Sequence, residues 1–188
     1  FRPNPLFCGR EAELKEVAAA FKQGIDHGAP AVAISGIGGV GKSQLAVEFA
    51  HRYGQYFVGG VYWVSFAEAG AIPAEIVNAC AGLPDLPLGF QELDAQTQLG
   101  LILGAWRNDL PRLLVFDNCE DESLLEQWRP ATGAAHVLLT SRRGEFAASL
   151  GVKVLALETL PRADSVALLQ KFLSSDGVIN QSAPAGEA

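Results

Sequence analysis

The sequence predicts a doubly wound α/β fold on a five-stranded, mostly parallel sheet, and three observations carry that expectation. Five short apolar, β-branched runs read as strands buried on both faces: AVAIS (31–35), VYWVSF (61–66), RLLVFD (112–117), HVLLTS (136–141) and VKVLAL (152–157). Segments with apolar residues at helical spacing lie between them. Strand and helix therefore alternate, and parallel neighbours need crossover connections that are usually helical.

Taken in order, EAELKEVAAAFKQGI (11–25) predicts a helix ahead of the first strand, and KSQLAVEFAHRY (42–53) a helix directly after it. PAEIVNACAGL (73–83) follows the second strand. LPDLPLGF (83–90) is a Pro/Gly-rich loop that joins two helices with no strand between them, the next helix being expected over 92–107. ESLLEQW (122–128) follows the third strand, and Pro161 marks the first turn of a last helix reaching about Ser174. Residues 176–188 read as a flexible tail or truncated linker. The absent initiator Met and abrupt end suggest a piece of a longer chain.

The 188 residues, 49% of them apolar, suffice for one domain with a proper core. Fourteen basic against 21 acidic residues give a formal charge of −7, which argues against a general polyanion-binding surface, so any phosphate contact must be local. Cys8, Cys80 and Cys119 are odd in number and widely spaced, which suggests neither a disulfide framework nor a zinc site and fits a reducing cytoplasm. No apolar run is long enough to cross a bilayer, and FRPNPLFCGR lacks the core of a signal peptide.

GIGGVGKS (36–43) places four glycines in six residues and then a lysine and a serine. It matches G-x-x-x-x-G-K-[ST] and lies between a strand and a helix, where a phosphate-binding loop must lie. Gly36, Gly38, Gly39 and Gly41 let successive backbone N–H groups turn inward as a nest for phosphate oxygens, and the helix N-terminus adds its positive dipole end. Lys42 is then expected to reach the β- and γ-phosphates and Ser43 to ligate Mg²⁺. Ile37, Val40 and Gln44 complete the loop and the start of its helix. A glycine-rich turn with a merely solvated lysine is outweighed, because the flanking strand and helix follow from periodicity alone.

The run RLLVFD ends on Asp117 at the carboxyl end of a strand, where ligands of open α/β sheets bind. This Walker B pattern makes Asp117 the second magnesium-side residue, against a plain strand-end cap as the alternative. Glu120 or Asp121 would help position an attacking water, although stabilising the N-terminus of ESLLEQW is favoured for both. HVLLTS ends at Thr140-Ser141-Arg142-Arg143, and Arg142 is the candidate to report on the γ-phosphate through its guanidinium fork. A surface salt bridge is the competing reading for Arg142, and Arg143 reads as solvated.

With P-loop, Walker B and a TSR strand tip in that order, the chain resembles the nucleotide-binding domain of the NB-ARC family, within the STAND class of signalling ATPases. Phe7-Cys8-Gly9-Arg10-Glu11 resembles the family's F-x-G-R-E box, which implies that Phe7, Gly9 and Arg10 contact the adenine side of the nucleotide. VLALETLPRADSVALLQKF resembles the strand, L-x-x-L and helix after the sensor strand. The resemblance implies a P-loop NTPase fold over residues 1–175, with 1–28 as adenine-side segment and helix, and ATP/ADP with Mg²⁺ as cofactors. Implied partners are helical and winged-helix subdomains, sensor repeats and an effector of the same chain, and further copies when ATP is bound. Neither direct nucleic-acid contact nor a membrane is implied. Asn118 stands where many members have a second Asp, which argues for slow hydrolysis because an amide cannot accept a proton from water. His27, His51 and His136 precede the position of the family's winged-helix histidine and read as surface or satisfied residues. Trp63, Trp106, Trp128, Phe116 and Tyr62 read as core or subdomain-interface packing. A turnover ATPase of the AAA+ kind and a non-catalytic nucleotide-binding scaffold are the alternatives. Without an NKxD-like motif after Walker B, adenine is expected over guanine.

Overall fold

A computed structural model describes residues 3–22 and 28–175. The end of the first expected helix beyond residue 22, His27 and the expected tail at 176–188 lie outside the described residues.

Five strands form one sheet: β1 (Ala31–Ser35), β2 (Val61–Ser65), β3 (Arg112–Asp117), β4 (Ala135–Ser141) and β5 (Val152–Ala156). Their spatial order is β2-β3-β4-β1-β5, and all four pairings are parallel, so the expected sheet is parallel throughout. The helices are α1 (Glu11–Lys22), α2 (Lys42–Tyr53), α3 (Ile72–Cys80), α4 (Ala95–Ala105), α5 (Glu122–Trp128) and α6 (Arg162–Ser175).

Side chains of a strand point alternately to its two faces. The inner strands β1, β3 and β4 are buried on both, whereas β2 and β5, expected to be buried likewise, are partly exposed because they form the sheet's edges. One face carries Val32 and Ile34 of β1, Leu113 and Val115 of β3 and Leu138 of β4 against Leu14, Val17 and Phe21 of α1 and Leu45 and Phe49 of α2. The other carries Val64, Leu114, Phe116, Val137 and Leu139 against Ile72 and Ile76 of α3, Ile102 of α4, Leu125 of α5 and Trp106. Each of these side chains is essentially withdrawn from water, and truncating one such Leu, Ile or Phe to Ala costs about 2 to 5 kcal/mol.

Boundaries shift where local polar groups decide them. The expected helix over 92–107 begins at Ala95, because the Asp94 carboxylate accepts from the amides of Gln96 and Thr97 at 3.1 Å and caps the first turn; a 3-10 turn holds Phe90–Glu92 ahead of it. The helix expected over 73–83 closes at Cys80, and Leu83 instead donates its amide to the Cys80 carbonyl in a turn. β4 starts one residue earlier than expected, at Ala135. The Pro/Gly loop is tied down by Asp85, which receives bonds at 2.6 Å from the fully buried Arg112 and from Asn108. Trp106, Phe116 and Tyr62 are buried as expected.

All three cysteines are free thiols. Cys80 and Cys119 are buried, and burial pushes both up to about 12; Cys8 is half-buried.

Candidate functional site

The carboxyl ends of β1, β3 and β4, three adjacent strands, converge on the loop 36–43. Gly36 lies against the carbonyl of Leu157, where a Cβ would approach to 2.6 Å, so only glycine fits. Gly41, just ahead of α2, has φ 102°, a conformation that side-chain-bearing residues rarely adopt. An added Cβ on Gly38, Gly39 or Gly41 would meet nothing within 4 Å, so this stretch of backbone faces open space. Lys42 folds back over the loop and donates to the carbonyls of Gly36 at 2.8 Å and Ile37 at 2.9 Å.

Beside the loop, Ser43 Oγ donates to Asp117 Oδ1 at 2.9 Å, joining the first turn of α2 to the end of β3. Thr140 Oγ1 of β4 donates to the same oxygen at 2.5 Å and in turn accepts the Asn118 amide at 2.9 Å. Asn118 takes φ 62° directly after the strand, and the next residue, Cys119, donates its amide to the Thr140 carbonyl of β4 at 2.9 Å. Thr140 is a site residue that sequence reasoning quoted without giving it a role; its signal is a hydroxyl at the tip of the strand beside Walker B.

Glu120 and Asp121 separate in function. Asp121 caps α5, accepting from the Ser123 amide and hydroxyl at 2.8 Å, and those bonds hold its carboxyl below the usual range. Glu120 reaches across to the β4 tip instead, where it accepts from Ser141 Oγ at 2.9 Å, the Arg142 amide at 2.9 Å and Arg142 Nε at 3.2 Å. Burial would raise the Glu120 carboxyl, but these bonds outweigh it and leave it lowered. The Arg142 guanidinium is thus engaged in the salt bridge weighed for it, while Arg143 pairs with Glu122 at 2.6 Å.

On the far side of the loop, Asn4, Leu6, Phe7, Val40, Gln44 and Leu168 enclose a cavity of about 180 Å³. The N-terminal segment, the loop and α6 meet there. Asn4 Nδ2 donates to Gln44 Oε1 at 2.9 Å, and Lys171 Nζ to the Phe7 carbonyl at 2.9 Å. Gly9 packs against the Asp164 side chain. Arg10 lines the cavity, but its guanidinium is spent on Glu13 at 2.8 Å and the Glu158 carbonyl at 2.5 Å, so it braces the wall.

A nucleotide with Mg²⁺ fits this set of residues. Among the described residues no group of three or more His, Cys, Asp or Glu side chains could cage a metal. Ser43 and Asp117 nonetheless present two hard oxygens side by side, the small protein contribution that Mg²⁺ takes when phosphates and waters supply the rest. The open glycine backbone suits phosphate oxygens. His136 lies apart, between Phe21 and Phe57 at the opposite end of β4, and His51 is exposed on α2.

No family model matches the chain. It is 25% identical over 201 residues to a nucleotide-binding leucine-rich repeat (NLR)-like protein of Hyaloscypha variabilis, covering 94% of this chain and 20% of that protein. It is 29% identical over 183 residues to regulatory protein AfsR of Streptomyces coelicolor, covering 93% and 18%. The chain thus spans about a fifth of the length of these curated relatives. Among solved structures, Cdc6p from Pyrobaculum aerophilum superposes with TM-score 0.64 at 13% identity, covering 93% of this chain and 52% of that one. A STAND protein with a tetratricopeptide repeat sensor, from Pyrococcus horikoshii, superposes with TM-score 0.50 at 19% identity, covering 93% and 26%. Relatives that include an NLR-like protein and a STAND protein agree with the resemblance read from the motifs, and the shared fold is that of a P-loop NTPase. ORC1 of Aeropyrum pernix, solved in complex with DNA, is similar at TM-score 0.56 and 17% identity, covering 90% and 50%, a likeness that carries the fold alone. Within this P-loop fold, GIGGVGKS is the loop between β1 and α2 and Asp117 ends β3. No helix among the described residues is long and apolar enough to cross a membrane.

Proposed function

We propose that this chain is the ATP/ADP-binding switch core of a multidomain cytoplasmic signalling protein. The observation that carries the reading is the contact of Ser43 Oγ with Asp117 Oδ1 at the mouth of an open glycine loop. Ser43 and Asp117 would hold Mg²⁺, Lys42 would leave the loop carbonyls for the β- and γ-phosphates, and the cavity beside Phe7, Gly9, Arg10 and Gln44 would take the base. Mg²⁺, when held by Ser43 and Asp117, would supply neutralisation of the phosphate charge.

In this reading Arg142 distinguishes ATP from ADP, because a nucleotide shifts a conformational equilibrium only through differential contact with its two states. ADP favours a resting state, ATP an oligomerising one, and the NLR-like and STAND relatives support the multidomain setting. Hydrolysis is slow. Asn118 follows Asp117, and the Glu120 carboxylate is occupied by the β4 tip. No direct nucleic-acid partner is proposed, in keeping with the charge of −7.

Calorimetric titration with Mg-ATP and with Mg-ADP tests the reading. Both bind, ADP at least as tightly, and Lys42→Ala weakens both sharply; affinity unchanged in Lys42→Ala would sink the P-loop assignment. A turnover ATPase is the second reading, drawn from the fold shared with Cdc6p, and steady-state turnover on the second scale would favour it.

A further inference from the structure

Arg142 starts from a fixed base and ends in a replaceable contact. Ser141 is fully buried and Thr140 nearly so, whereas the Arg142 side chain is 66% exposed. The Glu120 carboxylate is anchored by two donors other than the guanidinium, Ser141 Oγ at 2.9 Å and the Arg142 amide, which reaches its two oxygens at 2.9 and 3.0 Å. The guanidinium adds one longer bond, from Nε at 3.2 Å, and no other hydrogen bond or ion pair engages it among the described residues. A carboxylate held by the strand tip itself therefore keeps an exposed cation at that tip.

We propose that Glu120 is a specificity-determining positioning residue whose carboxylate reserves Arg142 until the terminal phosphate of a nucleoside triphosphate takes the guanidinium. The inference rests on the sensor role given to Arg142 above. A guanidinium serves a phosphate through a two-pronged fork, whereas here it meets Glu120 through Nε alone, so the phosphate offers the better partner. Releasing Arg142 from Glu120 is a cost charged against triphosphate binding and not against diphosphate binding. The pair is exposed, so that cost corresponds to about a two- to fivefold change in affinity. Glu120 thereby tunes the balance between the two nucleotides without touching either.

The test is a double-mutant cycle in the full-length protein, reading dissociation constants for ADP and for a non-hydrolysable ATP analogue by calorimetry. Glu120→Gln is expected to raise the preference for the ATP analogue about two- to fivefold and to leave ADP affinity unchanged. Glu120→Asp, which keeps the charge but falls short of the guanidinium, is expected to act in the same direction and serves if Glu120→Gln does not fold. In the Arg142→Ala background neither change should alter the preference. An unchanged or lowered preference in both Glu120 variants overturns the proposal, and so does an equal gain in the Arg142→Ala background, which would signify simple charge repulsion. If Arg142→Ala lowers the preference but the Glu120 variants do not move it, the reservation of Arg142 fails and the sensor stands. If Arg142→Ala alone has no effect, the sensor role falls and the proposal with it.

Discussion

At Asp117 the hydroxyls of Ser43 and Thr140 meet on one carboxylate oxygen, and only Ser43 and Asp117 were legible in the sequence as a pair. They sit in two motifs with fixed local spelling. Thr140 belongs to the site because β4 pairs with β3 in one register, Phe116 beside Leu139, and that register is a long-range outcome that no local pattern spells. Removing its hydroxyl tests the contact. Thr140→Val should leave Asp117 held by Ser43 alone and weaken Mg-dependent nucleotide binding about tenfold or more, with Mg-free binding little changed; calorimetry with and without Mg²⁺ reads this, and equal losses in both conditions would make the residue merely structural. Arg10 shows the converse: its place beside the cavity followed from a resemblance, but the commitment of its guanidinium to Glu13 and the Glu158 carbonyl depends on where the chain after β5 returns.

Elements were legible to the extent that buried periodicity set them. All five strands fell within a residue of their expected limits, although only β1, β3 and β4 are buried on both faces and the edge strands β2 and β5 are partly exposed. Helix ends were less so. The helix expected from residue 92 starts at Ala95, because the Asp94 cap decides where α4 begins. Asp94→Ala should lower the melting temperature by about 2 to 4 °C through loss of that cap, with nucleotide affinity intact, as the helix lies away from the glycine loop. Thermal unfolding followed by circular dichroism would show it; a change below 1 °C would mean that packing of Ile102 and Trp106 fixes the helix start unaided. The strand order had no signature in the sequence, since the crossovers say that strands are parallel neighbours without saying which are adjacent.

For the molecule as a whole, pH provides a separate probe of packing. Burial pulls His136 below its ordinary 6.5, so the neutral ring is favoured in the folded state and protonation favours unfolding. Stability should therefore be level above about pH 7 and fall as pH drops through 6.5 toward the lower folded value. The carboxyls of Glu120, Asp94 and Asp121 are lowered as well, and their contributions, complete above the usual carboxylate range, are lost only at more acid pH. Thermal melts from pH 4.5 to 8 should show the first decline in the parent protein and not in His136→Phe, whose ring suits the space between Phe21 and Phe57; an identical decline in both would assign it elsewhere.

The unequal burial of the three thiols equips the molecule with its own reporter. Cys80 and Cys119 are shut in the core, and thiols raised to about 12 are scarcely ionised at neutral pH, so a maleimide should modify them only after denaturation. Cys8 lines the cavity between the N-terminal segment and the loop. One equivalent of label should enter the native chain and three the unfolded one. The rate of that single alkylation should slow when a nucleotide base fills the cavity, which turns occupancy into a mass shift countable without any engineered residue.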